Sequence, residues 1–208
     1  MQIEIKDNFL NNEDLFELSH LKLENIKDDE VKVYQNKILK NGIINSTCLK
    51  ESTVKRLNDR YHSIAMQILN LICKEKCALY DYSEFHIIHT GKNYKFPIHD
   101  DIPSKILSGV IYLRPKKNVG TIFYKSKSGE SKKVIDWRVN RAVFFSRKEC
   151  ETWHSYEGDK INNRLALVYN LMTNKIRDVY KIEKKNYLFG SIRYKLNPYL
   201  HQYFNFQV

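Results

Sequence analysis

Three residues in this chain have the types and spacing to hold a metal ion. His99 and Asp101 stand one residue apart, and His154 follows Asp101 by 53 residues. On an extended strand alternate side chains share a face, so the first pair can present an imidazole and a carboxylate together while Asp100 points away. The interval before His154 has room for several strands, enough to wind around a barrel and return to the pair. Two imidazoles and one carboxylate on one side of a metal leave positions open opposite them, which suits iron(II) and O₂ chemistry. Arg164, ten residues after His154, opens the run Arg164-Leu165-Ala166-Leu167-Val168-Tyr169-Asn170-Leu171. The turn-forming Glu157-Gly158-Asp159-Lys160 sets His154 and Arg164 on adjacent strands. A guanidinium there can clamp a carboxylate in bidentate fashion, and Ala166 on the same face leaves room for a bound acid. Singly, either histidine reads as an ordinary structural residue, and Arg164 as one half of a salt bridge; order and spacing together carry the metal reading. His20, His62, His86 and His201 lack such company and read as surface or packing residues. Trp153, beside His154, reads as packing.

The elements that must position this set follow from periodicity. Ile3 to Leu10 reads as a strand, and a helix starts near Asn11 or Asn12, both good N-caps, with Leu15, Phe16 and Leu18 on its apolar side. Val54, Leu57, Tyr61, Ile64, Ala65, Ile68, Leu69 and Ile72 recur as one buried face of a helix over about 51–77. From residue 79 the pattern becomes β: Phe85 to His89, Ile106 to Leu113, Thr121 to Tyr124, Lys133 to Trp137, Ala142 to Phe145 and Leu165 to Leu171, separated by Gly-, Ser- and Asn-bearing turns. The expected fold is mainly β with flanking helices (α+β), a double-stranded β-helix or jelly roll with the N-terminal helices packed on one sheet. One domain over 1–208 is expected, with a helical part to about 78, a jelly-roll core over about 79–174, and a basic, aromatic extension over 175–208.

The 208 residues are 42% apolar with 7 Gly and 4 Pro, a globular composition. The four cysteines form no CxxC pair and read as reduced thiols. The N-terminus lacks a signal-peptide core and no stretch is long enough to span a bilayer, so a soluble, cytoplasmic protein is expected. The net charge of +11 is uneven: residues 103–148 hold 12 basic side chains against Glu130 and Asp136. That stretch either attracts an anionic substrate, a nucleic acid or an acidic protein, or is a solvated lysine-rich surface.

In order and spacing, His99-x-Asp101, His154 and Arg164 resemble the 2-oxoglutarate/Fe(II)-dependent dioxygenases, and more narrowly their prolyl 4-hydroxylase-like branch. Further matches are the opening Asp7-Asn8-Phe9-Leu10, Gly91 and Tyr94 before the first ligand, the strand end Tyr112-Leu113, Gly120-Thr121, and Phe144-Phe145 before the distal histidine. The likeness extends to about residue 172. It implies that His99, Asp101 and His154 bind Fe(II), and that Arg164 pairs with the distal carboxylate of 2-oxoglutarate. It also implies that Tyr112 hydrogen-bonds the same carboxylate. Strand parity puts Val110 and Tyr112 on one face and Ile111 and Leu113 on the other, which permits that role without choosing it. His89 stands where relatives often carry a tyrosine near the cofactor, and Val119-Gly120 replaces a Gly-Gly pair. The implied reaction hydroxylates a C–H bond as O₂ is consumed and 2-oxoglutarate becomes succinate, with ascorbate as a stimulatory reductant; retention of Asp101 favours hydroxylation over halogenation. The first substrate class is a protein or peptide side chain, proline foremost. Alternatives are a nucleic acid or other anionic substrate, a small molecule, or a non-catalytic jelly-roll binding module.

Overall fold

Alternation of apolar residues with period two, interrupted by two amphipathic helices, builds a β-rich molecule. The computed structural model describes residues 2–194. Strand β1 (Ile3–Lys6) leads to helix α1 (Asn12–Ser19), then β2 (Val31–Tyr34), β3 (Asn36–Leu39) and β4 (Ile44–Ser46). Helix α2 (Glu51–Cys73) runs into a 3-10 turn over Lys74–Leu79. The remaining strands are β5 (Tyr82–Thr90), β6 (Lys95–His99), β7 (Lys105–Arg114), β8 (Ile122–Phe123), β9 (Lys133–Val134), β10 (Ala142–Phe145), β11 (His154–Glu157) and β12 (Arg164–Met172), followed by α3 (Ile176–Ile182). Among the described residues the major sheet has the order β1-β10-β7-β12-β5-β3-β4, with β2 also paired to β5. The minor sheet is β6-β11-β8-β9. All pairings are antiparallel, and the two sheets form the expected jelly roll. No helix of the described residues is long and apolar enough to cross a membrane.

The helices cover the outer face of the major sheet. Val54, Leu57, Tyr61, Ala65, Ile68 and Leu69 of α2 are buried against Leu165, Leu167, Tyr169 and Leu171 of β12 and their neighbours. Those four alternate with Arg164, Ala166, Val168 and Asn170, so the inner face of the same strand is free to line a cavity between the sheets. A smaller cluster of Tyr112, Phe123, Ile135, Trp137, Val143 and Phe145 closes one part of that space.

Several expectations need adjustment. Residues 31–46 contribute three strands to a region read as helical; Val31-Lys32-Val33-Tyr34 has strand alternation, and β5 supplies the edge on which it pairs. Asn11 is the N-cap, its side chain accepting the Asp14 amide at 2.8 Å, but Phe16 faces solvent. Ile64 lies at the margin of the α2 face and is partly exposed. Strand β6 ends at His99, so Asp101 sits in the loop beyond it, not on the same strand as His99. The last 14 positions of the expected C-terminal extension, His201 among them, lie outside the described residues.

Helices α1 and α2 are joined by a polar knot around Asp14, which is fully buried. Its carboxylate accepts bonds from Tyr61 Oη at 2.7 Å, Arg56 Nε at 2.9 Å and Arg60 Nη1 at 3.0 Å. Burial pushes the Asp14 pKa up, but these donors outweigh it and the net shift is downward. A carboxylate more acidic in the folded than in the unfolded chain contributes stability above its unfolded pKa, and that contribution is lost as pH falls through the folded value. Asp14→Asn is therefore expected to cost about 2 kcal/mol at neutral pH, because Arg56 and Arg60 lose the buried one of the two carboxylates that each binds. In urea unfolding the gap between wild type and variant should narrow as pH falls from about 5 toward 3; a gap that stays constant would contradict the role given to the charge.

Candidate metal centre and acid-binding cavity

Antiparallel pairing of β6 with β11 sets His99 directly opposite His154. Their rings lie 4.2 Å apart, centroid to centroid, with Phe145 packed 4.7 Å from His154 and Phe96 4.3 Å from His99. Asp101 swings back toward them from the loop after β6. One ligand atom from each of the three lies within 4.8 Å of the others. Asp101 and His154 are buried, and His99 is partly exposed.

The tautomers suit a metal. Each Nδ1 lies 2.9 Å from the backbone carbonyl two residues earlier, Pro97 for His99 and Thr152 for His154. A carbonyl can only accept, so Nδ1 carries the hydrogen and Nε2 keeps its lone pair. Burial, aided by the neighbouring His154, holds the His99 pKa down at about 3. Burial likewise lowers that of His154, against the opposing pull of Asp101. Asp101 moves the other way: burial would raise its pKa, but Lys105 and the two imidazoles hold it well below the usual carboxylate range. Lys105 Nζ is 2.7 Å from Asp101 Oδ1, and Ser108 Oγ donates to Oδ2. Two neutral imidazoles and one ionised carboxylate form the donor set of an open, facial site for a divalent first-row metal.

From this centre a cavity of about 220 Å³ extends between the sheets to Arg164. Along its walls stand Val110, Ala166 and Val168 from the major sheet and Tyr94 and Tyr156 from the minor-sheet side. Arg164 is 6% exposed, and burial lowers its pKa. Its guanidinium lies 3.9 Å from the Tyr156 ring centroid, 5.5 Å from that of Trp137 and 5.8 Å from that of Tyr112. No carboxylate pairs with it among the described residues, and Nε has no hydrogen-bond partner. Thr90, its register partner across β5, also has a buried hydroxyl without a partner. The other two well-buried arginines differ: Arg141 pairs with Asp7 at 2.6 Å and Arg147 with Glu183 at 2.6 Å. A buried cation left unpaired is costly, whereas an anion supplied from outside would satisfy it. The Arg164 end of the cavity thus has the chemistry of a carboxylate receptor.

The four principal residues expected from the sequence therefore meet around one cavity. Two others do not line it. Tyr112 is fully buried behind Arg164, and its hydroxyl accepts the Thr121 amide at 2.8 Å and donates to Thr121 Oγ1 at 3.0 Å. The residue it braces, Thr121, reaches the cavity instead. This close fit needs Gly120, where a Cβ would fall 1.8 Å from the Ile135 carbonyl oxygen. His89 alternates with the cavity-lining Ile88 and Thr90 and faces the opposite side of β5. Sequence reasoning passed over Thr90, Thr121 and Tyr156. Strand parity with Arg164 could have indicated Thr90, since β5 and β12 pair through their whole length.

No protein-family model matches the sequence, and no curated protein matches it. Solved structures do. A prolyl-4-hydroxylase from Pseudomonas putida is similar with a TM-score of 0.58 at 12% identity, covering 83% of this chain and 92% of that one. A prolyl hydroxylase from Trichoplax adhaerens gives 0.55 at 16% identity, over 85% and 86% of the two chains. An oxidoreductase of the 2OG-Fe(II) oxygenase family from Burkholderia pseudomallei gives 0.54 at 14%, over 82% and 84%. The chain has the fold of these oxygenases.

An unpaired buried guanidinium makes a sharp stability prediction. Arg164→Met, which keeps the bulk and removes the charge, should leave the metal- and ligand-free protein as stable as wild type or more so by about 1–3 kcal/mol. Chemical denaturation measures this directly, and a loss above about 2 kcal/mol would mean that Arg164 already has a counter-charge.

Proposed function

We propose that this chain is an Fe(II)- and 2-oxoglutarate-dependent oxygenase that hydroxylates a C–H bond. The observation that carries the reading is the shared cavity: a 2-His-1-carboxylate set at one place and an uncompensated guanidinium at another, with apolar walls between. Each half is ambiguous alone. Together they match an acid that has a metal-chelating group and a second, distant carboxylate.

His99 and His154 would hold the metal through Nε2, and Asp101 through its carboxylate. Bound iron(II) supplies the oxidising chemistry that couples O₂ and the conversion of 2-oxoglutarate to succinate and CO₂ with hydroxylation. The residues of the chain do the rest. Arg164, with Thr90 beside it, binds the distal carboxylate and fixes the acid's direction. Thr121, braced by Tyr112, and Tyr156, against the guanidinium, shape that end. Val110, Ala166 and Val168 keep water from the acid's methylene groups. The backbone carbonyls of Pro97 and Thr152 hold the imidazoles in the orientation that binding requires.

For the substrate, a protein or peptide side chain stands first. The Trichoplax neighbour was solved in complex with a peptide fragment of a hypoxia inducible factor oxygen degradation domain. The nucleic-acid alternative loses some of its motive, because at least five of the 12 basic residues in 103–148 form ion pairs within the molecule: Lys105 with Asp101, Arg138 and Arg141 with Asp7, Arg147 with Glu183, and Lys148 with Glu151.

Incubation with Fe(II), ascorbate, 2-oxoglutarate and O₂ should yield succinate above the protein-free rate even without the natural substrate. His99→Ala and His154→Ala should abolish both metal uptake and succinate. Arg164→Met should keep the metal and require at least about tenfold more 2-oxoglutarate for half-maximal turnover. Metal uptake with no succinate under any condition would favour the binding-module alternative.

A further inference from the structure

Asp101 is the one ligand of the proposed metal that no sheet holds. Strand β6 ends at His99 and β7 begins at Lys105, so residues 100–104 have no ladder to fix their backbone. Lys105 and Ser108 hold the carboxylate itself, and the backbone that carries it needs a restraint of its own. Two arginines grip the Asp100-Asp101 dipeptide from behind. Arg147 donates from Nε to the Asp101 backbone carbonyl at 3.0 Å. Arg193 binds the Asp100 carboxylate at 2.8 Å through Nη2, and the Cys150 amide donates to the same carboxylate at 2.9 Å.

Both guanidiniums are anchored in turn. Arg147 is 2% exposed and donates from Nη1 to Glu183 Oε2 at 2.6 Å. Glu183, just past the end of α3, also receives the buried Lys76 ammonium at 2.8 Å and the Glu149 amide at 3.0 Å. Arg193 bonds Glu149 at 3.2 Å and lies 5.5 Å from the Trp153 ring. A continuous chain of buried, hydrogen-bonded charges therefore runs from Lys76 through Glu183 and Arg147 to the backbone of the proposed ligand. Arginine suits this task because its rigid planar fork fixes the angle between the carboxylate and the carbonyl that it binds, whereas an ammonium on a flexible stem imposes no such angle.

We infer that Arg147, held by Glu183, is a positioning residue for the metal: it sets the backbone of Asp101 so that the carboxylate meets the two imidazoles, with Arg193 acting in parallel through Asp100. Two of these residues, Glu183 and Arg193, belong to the C-terminal extension, which thereby becomes part of the scaffold of the metal centre. The inference rests on the metal reading given above, and its test uses binding instead of turnover.

Co(II) is titrated into the full-length protein anaerobically, and its dissociation constant and visible ligand-field spectrum are recorded alongside thermal unfolding of the metal-free protein. Arg147→Lys keeps a cation opposite Glu183 but not the fork. It should weaken Co(II) binding about 10–100-fold, the range for loss of a partner that orients a ligand, and alter the spectrum. Arg193→Gln, at a site nearer the surface, should weaken binding in the same sense, and Arg193→Lys should partly restore it. This second pair decides the matter if Arg147→Lys does not fold. A role in stability alone would lower the melting temperature and leave both the dissociation constant and the spectrum of the folded protein unchanged; that result overturns the inference. Wild-type protein that binds no Co(II) would overturn the metal reading itself, and this inference with it.

Discussion

A guanidinium buried with no counter-ion among the described residues is the constraint around which the cavity between the sheets is arranged. Removing a charge from water is expensive, and proteins tolerate it when a partner, a metal or a ligand repays the loss. Here Arg141 and Arg147 show the ordinary solution, a carboxylate held in contact. Arg164 has aromatic rings around it and an open cavity before it. The cavity leads from it to two neutral imidazoles and an ionised carboxylate, the donor set of a divalent metal site.

The fold makes this possible by giving β12 two different faces. Leu165, Leu167, Tyr169 and Leu171 enter the core beneath the helices, where apolar burial stabilises the major sheet. Arg164, Ala166 and Val168 look the other way into the cavity. Because register is set by the buried apolar face, a one-residue slip would exchange the two sets, so the hydrophobic core also fixes where the guanidinium points. The minor sheet contributes in the same manner, since the β6–β11 pairing places the two histidines opposite one another. Asp101 is the exception, placed by ionic and hydrogen-bonded contacts instead of a ladder.

Much of this was legible in the sequence. The spacing of His99, Asp101, His154 and Arg164 gave the cavity its four principal groups, and the alternation in β12 and the helical recurrence in α2 gave the architecture that gathers them. What the sequence concealed depended on tertiary partners. Within residues 31–46, β2 and β3 pair on the edge that β5 offers and β4 pairs on β3, contacts that no local pattern shows. The hydroxyl of Tyr112 turned to Thr121, a contact made possible by the close packing at Gly120, and strand parity turned His89 away from the cavity. The simple alternation that put His99 and Asp101 on one face also proved too regular, because the strand stops at His99. Arg147 and Glu183 stand 36 residues apart and carry no motif, so nothing local shows that they meet beneath Asp101.

The claim that the metal set and Arg164 belong to one site is tested most directly by calorimetric titration of 2-oxoglutarate and of glutarate under anaerobic conditions, with and without Mn(II) bound. Glutarate has both carboxylates but lacks the keto oxygen that completes chelation. A single site predicts that Mn(II) strengthens 2-oxoglutarate binding much more than glutarate binding, and that glutarate competes with 2-oxoglutarate for Arg164. Binding of 2-oxoglutarate that is indifferent to the metal, or undisturbed by glutarate, would contradict it.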